Sequence, residues 1–500
     1  MDSKPFTVHD ATASVPFADL SDLRVREAPQ IVSAQPLPRP ETPAKSMVDT
    51  AARPAFQMQR PRGQRHLRFA PLAASLAIAF ASAPAASAEI RKGPFLQALG
   101  QTGVTVKLEL ATPEAATVEI EGPGGFKASR ASESAKRFHA LRVDGLSPAS
   151  TYTYRVTAGG AQSAPAQFTT APADNRPFRF VVYGDSRSDP STHAAVARMI
   201  ESAPGDFFVH TGDMVYDGAD EEEWQELFTI ERKLLANRCA FVAIGNHELT
   251  SPDPKGQITF LRYFAATEND GRERPHLYGS FRWSNTRFFL LNAMDTWTGD
   301  EKEWLRAELA AALDEPGLQH RVAVLHHGPF SSGRHGGNVR LKKQGIVDLM
   351  RDHKVDLLFA GHDHVYERGE GQGIKYIVSG GAGAPLYRRE NSAPETQAFE
   401  ATHHFLEVAV DGEKVDVVAR RASGAVIEQC GFKGTESWSC KTGDAKAAPK
   451  PPAAAAGSSS SCACQVPGGS SSLPGWPLGL AASLVLALRR VLRRTSEVDA

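Results

Sequence analysis

Between Phe178 and Ala360 short apolar runs alternate with amphipathic helical stretches, which confines this part of the chain to an α/β fold with buried strands. The runs are Phe178 to Tyr183, Phe207 to His210, Phe241 to Ile244, Val322 to Leu325 and Val355 to Ala360. The helical stretches are Ser191 to Ala203, Glu221 to Ala236, Glu301 to Leu313 and Leu341 to His353. Binding sites in such folds gather at the carboxyl ends of strands. After the five runs come Gly184-Asp185, Gly212-Asp213, Gly245-Asn246-His247-Glu248, His326-His327-Gly-Pro329 and Gly361-His362-Asp-His364. Every strand end thus delivers a hard or borderline metal ligand, and glycine precedes it in four of the five, which suits a sharp turn and close backbone approach to an ion. Carboxylates, imidazoles and an amide oxygen together suit two transition ions that share a bridging carboxylate.

Composition narrows the function. The 500 residues are 41% hydrophobic and 23% charged, which is globular usage with enough length for a large core. A formal net charge of -1 leaves no basic footprint for nucleic acid, so no nucleic acid is expected as a partner and function has to come from local sites.

Both ends read as addresses. The basic stretch Arg60 to Arg68, the apolar run Phe69 to Ala83 and Ala86-Ser87-Ala88 are the three parts of a secretory signal, so residues 1–88 are assigned to leader and signal peptide. Met58 or Met47 is the expected start and Glu89 the approximate beginning of the mature chain. Residues 442–472 form a linker with Cys462-Ala-Cys464, and residues 473–500 carry an apolar run, Leu473 to Leu488, followed by Arg489, Arg490, Arg493 and Arg494. That run is short for a bilayer span of ~20 residues. The tail resembles the Cys-containing sorting signals of myxobacterial surface proteins, which implies export and anchoring at the cell surface or outer membrane; a plain membrane anchor is the alternative. In an oxidising compartment Cys430 and Cys440 are expected to pair, whereas Cys239, inside an apolar run, reads as a buried thiol.

Residues 89–172 show short alternating segments, such as Val104 to Leu110 and Thr117 to Ile120, between Gly/Pro turns. The stretch Leu146-Ser-Pro-Ala-Ser-Thr-Tyr152-Thr-Tyr154 resembles the fibronectin type III strand that carries a tyrosine corner. Ala171 to Pro177 reads as a linker to the α/β domain, residues 173–441.

The order of the strand-end motifs resembles that of the calcineurin-like metallophosphoesterases, and two details narrow the resemblance to the purple acid phosphatases. Gly212-Asp213-Met-Val-Tyr216 places a tyrosine three residues after the aspartate, with no histidine after Asp185. Gly361-His-Asp-His-Val-Tyr-Glu-Arg368 runs on into that family's Tyr-Glu-Arg. The resemblance covers about Ile90 to Gly431. It implies a metallophosphoesterase β-sandwich flanked by helices, of α/β class, preceded by an all-β fibronectin type III-like sandwich that packs against or positions it.

Carried over to this chain, the resemblance assigns Asp185, Asp213, Tyr216 and His364 to metal 1, and Asp213, Asn246, His327 and His362 to metal 2. A phenolate has to lose a proton of pKa ~10 to bind, which makes Fe(III) the natural occupant of site 1. Zn, Mn or Fe(II) suits site 2. The implied activity is hydrolysis of phosphate monoesters by metal-bound hydroxide, with His247 and His335 as candidate proton donors to the leaving group. Asn246, His247 and Arg187 are the candidate substrate contacts. Arg187 stands where the family usually has glycine, and a salt bridge to an acid is its alternative role. The Val324-Leu-His-His327 spacing favours His327 over His326 as ligand. Glu248, Asp363, Glu367 and Arg368 are read as orienting or structural residues, and His403-His404 as a packed pair. The same ligands serve phosphodiesterases and nucleotide hydrolases, with the loops Thr250 to Asp270 and Ala382 to Thr396 setting the ester class. A surface-anchored binding module is the reading from a different class, and the intact ligand motifs argue against it.

Overall fold

The computed structural model describes residues 89–444 apart from 250–253, 265–276, 296 and 298. The leader and signal, the Cys462/Cys464 motif and the apolar and arginine-rich tail lie outside the described residues. Among the described residues no helix is long and apolar enough to cross a membrane.

The strand Phe178–Tyr183 shows why the α/β part is layered. With a period of two, Phe178, Phe180 and Val182 enter one apolar core while Val181 and Tyr183 enter another, so both faces are buried. The strand lies in a seven-stranded sheet, in the spatial order Cys239–Val242, Phe207–His210, Phe178–Tyr183, His404–Asp411, Lys414–Arg421, Val426–Lys433, Ser439–Thr442. The first three strands run parallel and the rest antiparallel. A second seven-stranded sheet follows the order Gly279–Trp283, Thr286–Leu291, His320–Leu325, Leu357–Ala360, Ile374–Ser379, Tyr366–Gly371, Thr396–Glu400, with four parallel strands at its centre.

Between the sheets sits an aromatic core in which the Phe180, Phe207 and Phe288 ring centroids lie 5.2 to 5.5 Å apart. The helices Pro190–Ser202 and Glu221–Ile230 cover the outer face of the first sheet through Val196, Ile200, Trp224 and Phe228. Asp300–Leu313 and Ile346–Asp352 cover the second through Leu305, Leu309, Ile346 and Met350. Two stretches expected as single helices are interrupted. One restarts after the buried Glu231, whose carboxylate bonds Tyr183 Oη and His193 Nε2, each at 2.8 Å. The other breaks at Gly345, whose φ of 70° places it in the left-handed region.

Residues 90–169 form two antiparallel sheets around a shared core. One contains Ile90–Gln97, Gly103–Glu114 and Lys136–Asp144, and the other Lys127–Ala131, Ala116–Glu121, Thr151–Ala158, Ala161–Gln162 and Ala166–Thr169. The Ser147 N–H donates to Tyr152 Oη at 2.7 Å, the bond that a tyrosine corner requires. This sandwich packs directly on the α/β domain, beyond what the linker alone would give. Phe95 enters the cluster of Phe228, Tyr263 and Phe264, Tyr154 Oη donates to Ala236 O at 2.7 Å, and Gln97 Nε2 to Ala240 O at 2.9 Å.

The buried Lys92 ammonium spends its three protons on Glu109 (2.9 Å), Glu221 (3.0 Å) and Tyr263 Oη (2.9 Å). Lys107 donates to the Arg262 and Tyr263 carbonyls at the end of the helix Lys255–Phe264, where the dipole favours a cation. Cys430 and Cys440, partners across the last hairpin, are disulfide-bonded, and Cys239 is buried.

Candidate metal centre

The carboxyl ends of the central strands of both sheets meet, and the polar residues that follow them converge there. The turns are tight. Asp185, Asp213 and His362 adopt φ of 56°, 58° and 70°, a left-handed conformation that costs an L-residue on the order of 1–3 kcal/mol. The preceding glycines are needed for proximity. A Cβ on Gly245 would strike the Asp213 carboxylate and backbone nitrogen, and one on Gly361 would strike the Asp185 carboxylate. The buried Glu248 carboxylate holds two of these turns together by accepting the N–H groups of Asp213 (3.0 Å), Met214 (2.7 Å) and Gly245 (2.8 Å). Burial and the nearby Asp213 charge push its pKa up to about 7.

At the centre, carboxylate oxygens of Asp185 and Asp213 and an imidazole nitrogen of His326 lie within 4.8 Å of one another, with all three side chains buried. His326 Nε2 is 3.2 Å from Asp213 Oδ1, 3.1 Å from Asn246 Oδ1 and 3.2 Å from His362 Nδ1. Its Nδ1 bonds Thr211 O at 2.9 Å, which commits that nitrogen's proton to a carbonyl and presents Nε2 to the cluster. His364 repeats the arrangement: Nδ1 bonds Pro385 O at 2.6 Å, and Nε2 is 3.4 Å from Asp185 Oδ1.

The electrostatics ask for a cation. Burial lowers the His326 pKa, but Asp213 and Asp185 outweigh it and hold it up at about 9. Burial would raise the Asp213 pKa, yet the His326, His247 and Arg187 charges keep it below the ordinary carboxylate range. His362 is driven low by burial and by the neighbouring His326, His327 and His335. Two buried carboxylates, an amide oxygen and imidazole nitrogens gathered at one point are the donor set of a transition-metal site. Asp185, Asp213, Asn246, His326, His362 and His364 therefore fit such a site.

Two of the seven expected ligands stand elsewhere. His327 turns away from the carboxylates, its Nε2 bonding Gly336 O at 3.1 Å and its ring 4.2 Å from that of His362. The reason is strand geometry. Val322 and Val324 face the core between the sheets, so with a period of two residue 326 continues toward that face and residue 327 toward the helices. Tyr216 is 56% exposed, and its ring lies 5.0 Å from that of His247. Arg187 takes the salt-bridging alternative: Nε is 3.1 Å from Asp213 Oδ2, and NH2 is 3.3 Å from His364 Nε2.

The remaining candidates line the site. The His247 N–H donates to Asp213 Oδ1 at 3.0 Å; its Nδ1 bonds Tyr216 O at 2.6 Å and its Nε2 is 3.9 Å from Asp213 Oδ2. The His335 ring is 4.3 Å from that of His362, and its own backbone N–H donates to Asp363 at 2.8 Å. Burial lowers its pKa. Asp363 also accepts from Ser331 Oγ, and Glu367 accepts from Ser332, Tyr376 and Thr396, so both acids hold loops. Arg368 pairs with Glu428. His403 and His404 bond the carbonyls of Gly381 and Thr402. Tyr387, which the motifs did not flag, stacks on His364 at 4.0 Å with its ring 5.3 Å from that of His335.

Comparison with known proteins agrees with this geometry. Residues 178–366 match the calcineurin-like phosphoesterase family. Purple acid phosphatase 22 of Arabidopsis thaliana is 26% identical over 239 residues, 46% of this chain and 54% of that protein. An uncharacterised protein of Mycobacterium tuberculosis is 23% identical over 302 residues, 52% and 56% of the two chains. The match thus spans about half the length of these curated relatives. In fold the chain is similar to the yellow lupin purple acid phosphatase PPD1, with a TM-score of 0.59, 18% identity and coverage of 69% of this chain and 74% of that one. It is similarly close to PhoD, with a TM-score of 0.57, 12% identity and coverage of 73% and 94%. Residues 178–366 are therefore a calcineurin-like phosphoesterase domain with purple acid phosphatases among its relatives.

Proposed function

We propose that the chain is an exported hydrolase of phosphate monoesters built on a binuclear metal centre. The observation that carries this reading is the convergence of Asp185, Asp213, Asn246, His326, His362 and His364 from five strand ends onto one buried point. Asp213 would bridge, with Asp185 and His364 on one side and Asn246, His326 and His362 on the other. When bound, the ions supply Lewis acidity and a coordinated water of lowered pKa. The chain's own groups do the rest. The Thr211 and Pro385 carbonyls fix the two imidazole tautomers. Arg187, a permanent cation salt-bridged to Asp213, has N–H groups left to offer a phosphate oxygen. His247 and His335, each beside the cluster, are placed to hand a proton to the departing alkoxide.

The Cys430–Cys440 disulfide supports the oxidising compartment that export implies. The two-sheet order and the Tyr152 bond support a fibronectin type III-like identity for the N-terminal sandwich, with a packing role. Anchoring at the cell surface or outer membrane through the tail remains part of the proposal. The test is a panel of phosphate monoesters and diesters assayed with the metal-loaded protein. Faster turnover of monoesters is expected; preference for diesters would replace the ester class, and no turnover of either would refute the function.

A further inference from the structure

Tyr216 stands away from the donors that the resemblance assigns to it, and Arg187 stands against them. The tyrosine three residues after Asp213 is the one expected to send a phenolate to the ion beside Asp185 and His364. Its side chain is instead 56% exposed, whereas Asp185 and Asp213 are 0% and 1% exposed. The phenol oxygen makes no hydrogen bond to any described residue, and the backbone on either side of the ring is tied down. The Tyr216 N–H donates to the Glu223 carboxylate, and its carbonyl oxygen is 2.6 Å from His247 Nδ1. The ring lies flanked by the His247 imidazole at 5.0 Å and the Arg187 guanidinium at 5.6 Å.

What does touch the donors is Arg187, with Nε on Asp213 Oδ2 at 3.1 Å and NH2 by His364 Nε2 at 3.3 Å; its NH1 donates to Ser188 Oγ at 3.1 Å. A guanidinium stays protonated at any working pH and cannot ligate a cation. The chain therefore sets a fixed positive charge, not a phenolate, against these donors.

We infer that the metal position beside Asp185 and His364 has no phenolate ligand, is held by Asp185, Asp213 and His364 with Arg187 alongside, and takes a divalent ion. Ferric iron is favoured by hard anionic donors, and here the anionic donors are two carboxylates, one of them shared and partly neutralised by the guanidinium. Two divalent ions balance such a donor set better than a ferric–divalent pair. This inference rests on the binuclear reading above and changes the identity of one ion and one ligand within it.

The test uses the secreted, full-length protein loaded with iron in air and, separately, with manganese, together with Tyr216→Phe and, as a ligand control, Asp185→Ala. Bound metal is counted, and the visible spectrum is recorded. The expected result is a colourless iron-treated protein, a Tyr216→Phe variant that binds two manganese ions as the parent does, and an Asp185→Ala variant that loses one. A visible charge-transfer band that disappears in Tyr216→Phe overturns the inference, and so does loss of one ion in that variant. Turnover of an aryl phosphate by the manganese form is read in parallel. Failure of that assay strikes the proposed function, whereas a purple, active protein strikes only the assignment of this ligand and ion.

Discussion

The N-terminal sandwich and the strand ends of the α/β domain both bury charge, and they do so in opposite ways. In the sandwich Lys92 meets two carboxylates and a hydroxyl, one acceptor for each of its protons, and Lys107 caps a helix terminus. At the strand ends two carboxylates, an amide oxygen and imidazole nitrogens face one another, on backbone held in left-handed φ by Glu248 and by glycines that leave no room for a Cβ. Buried charge that is fully paired serves the fold, whereas buried donors crowded onto one point, on strained backbone, mark the place where an ion is expected.

The contrast can be broken by substitution, starting with the largest effect. Asp213→Ala should lower kcat on an aryl phosphate by about 10³-fold, roughly 4 kcal/mol of barrier, read on the folded, metal-loaded protein. Near-parental kcat would remove Asp213 from the centre. Lys92→Ala should do the reverse. Leaving Glu109 without the buried ammonium, with Tyr263 Oη and the more distant Arg137 as its remaining partners, costs about 3 kcal/mol of stability, read from denaturant titration, with kcat of the folded enzyme kept. Unchanged stability would mean that the pairing at the domain junction contributes nothing.

Smaller effects sharpen the comparison inside the site. His326→Ala should cost about 10²-fold in kcat and the neighbouring His327→Ala less than about tenfold, because only the first faces the carboxylates. The opposite ranking would restore the spacing-based assignment. Arg187→Ala should raise KM for the phosphate ester about tenfold, the scale of one charge-assisted hydrogen bond, and leave kcat within a few-fold. A loss in kcat alone would place the guanidinium on the transition state.

Much of the centre was legible because each strand ended in a ligand type and the strand order was fixed. Between His326 and His327 two signals compete: the Val324-Leu-His-His327 spacing favours the second, whereas the alternation of Val322 and Val324 carries the first toward the core between the sheets. The placing of Tyr216 was not legible: which side chain turns inward depends on Glu223, in the helix that follows, taking the Tyr216 N–H, and on Arg187 reaching Asp213 from another strand end. Tyr387 was missed for a related reason, since it reaches His364 from a loop without any ligand motif. The broken helices turned on single residues, a buried Glu231 and a left-handed Gly345, which apolar periodicity does not register.

The central claim is that a metal pair sits across Asp213. Anomalous scattering from crystals grown with manganese tests it most directly. Two peaks are predicted, one among Asp185, Asp213 and His364 and the other among Asp213, Asn246, His326 and His362. A single peak, or a peak held by His327 or Tyr216, would contradict the account.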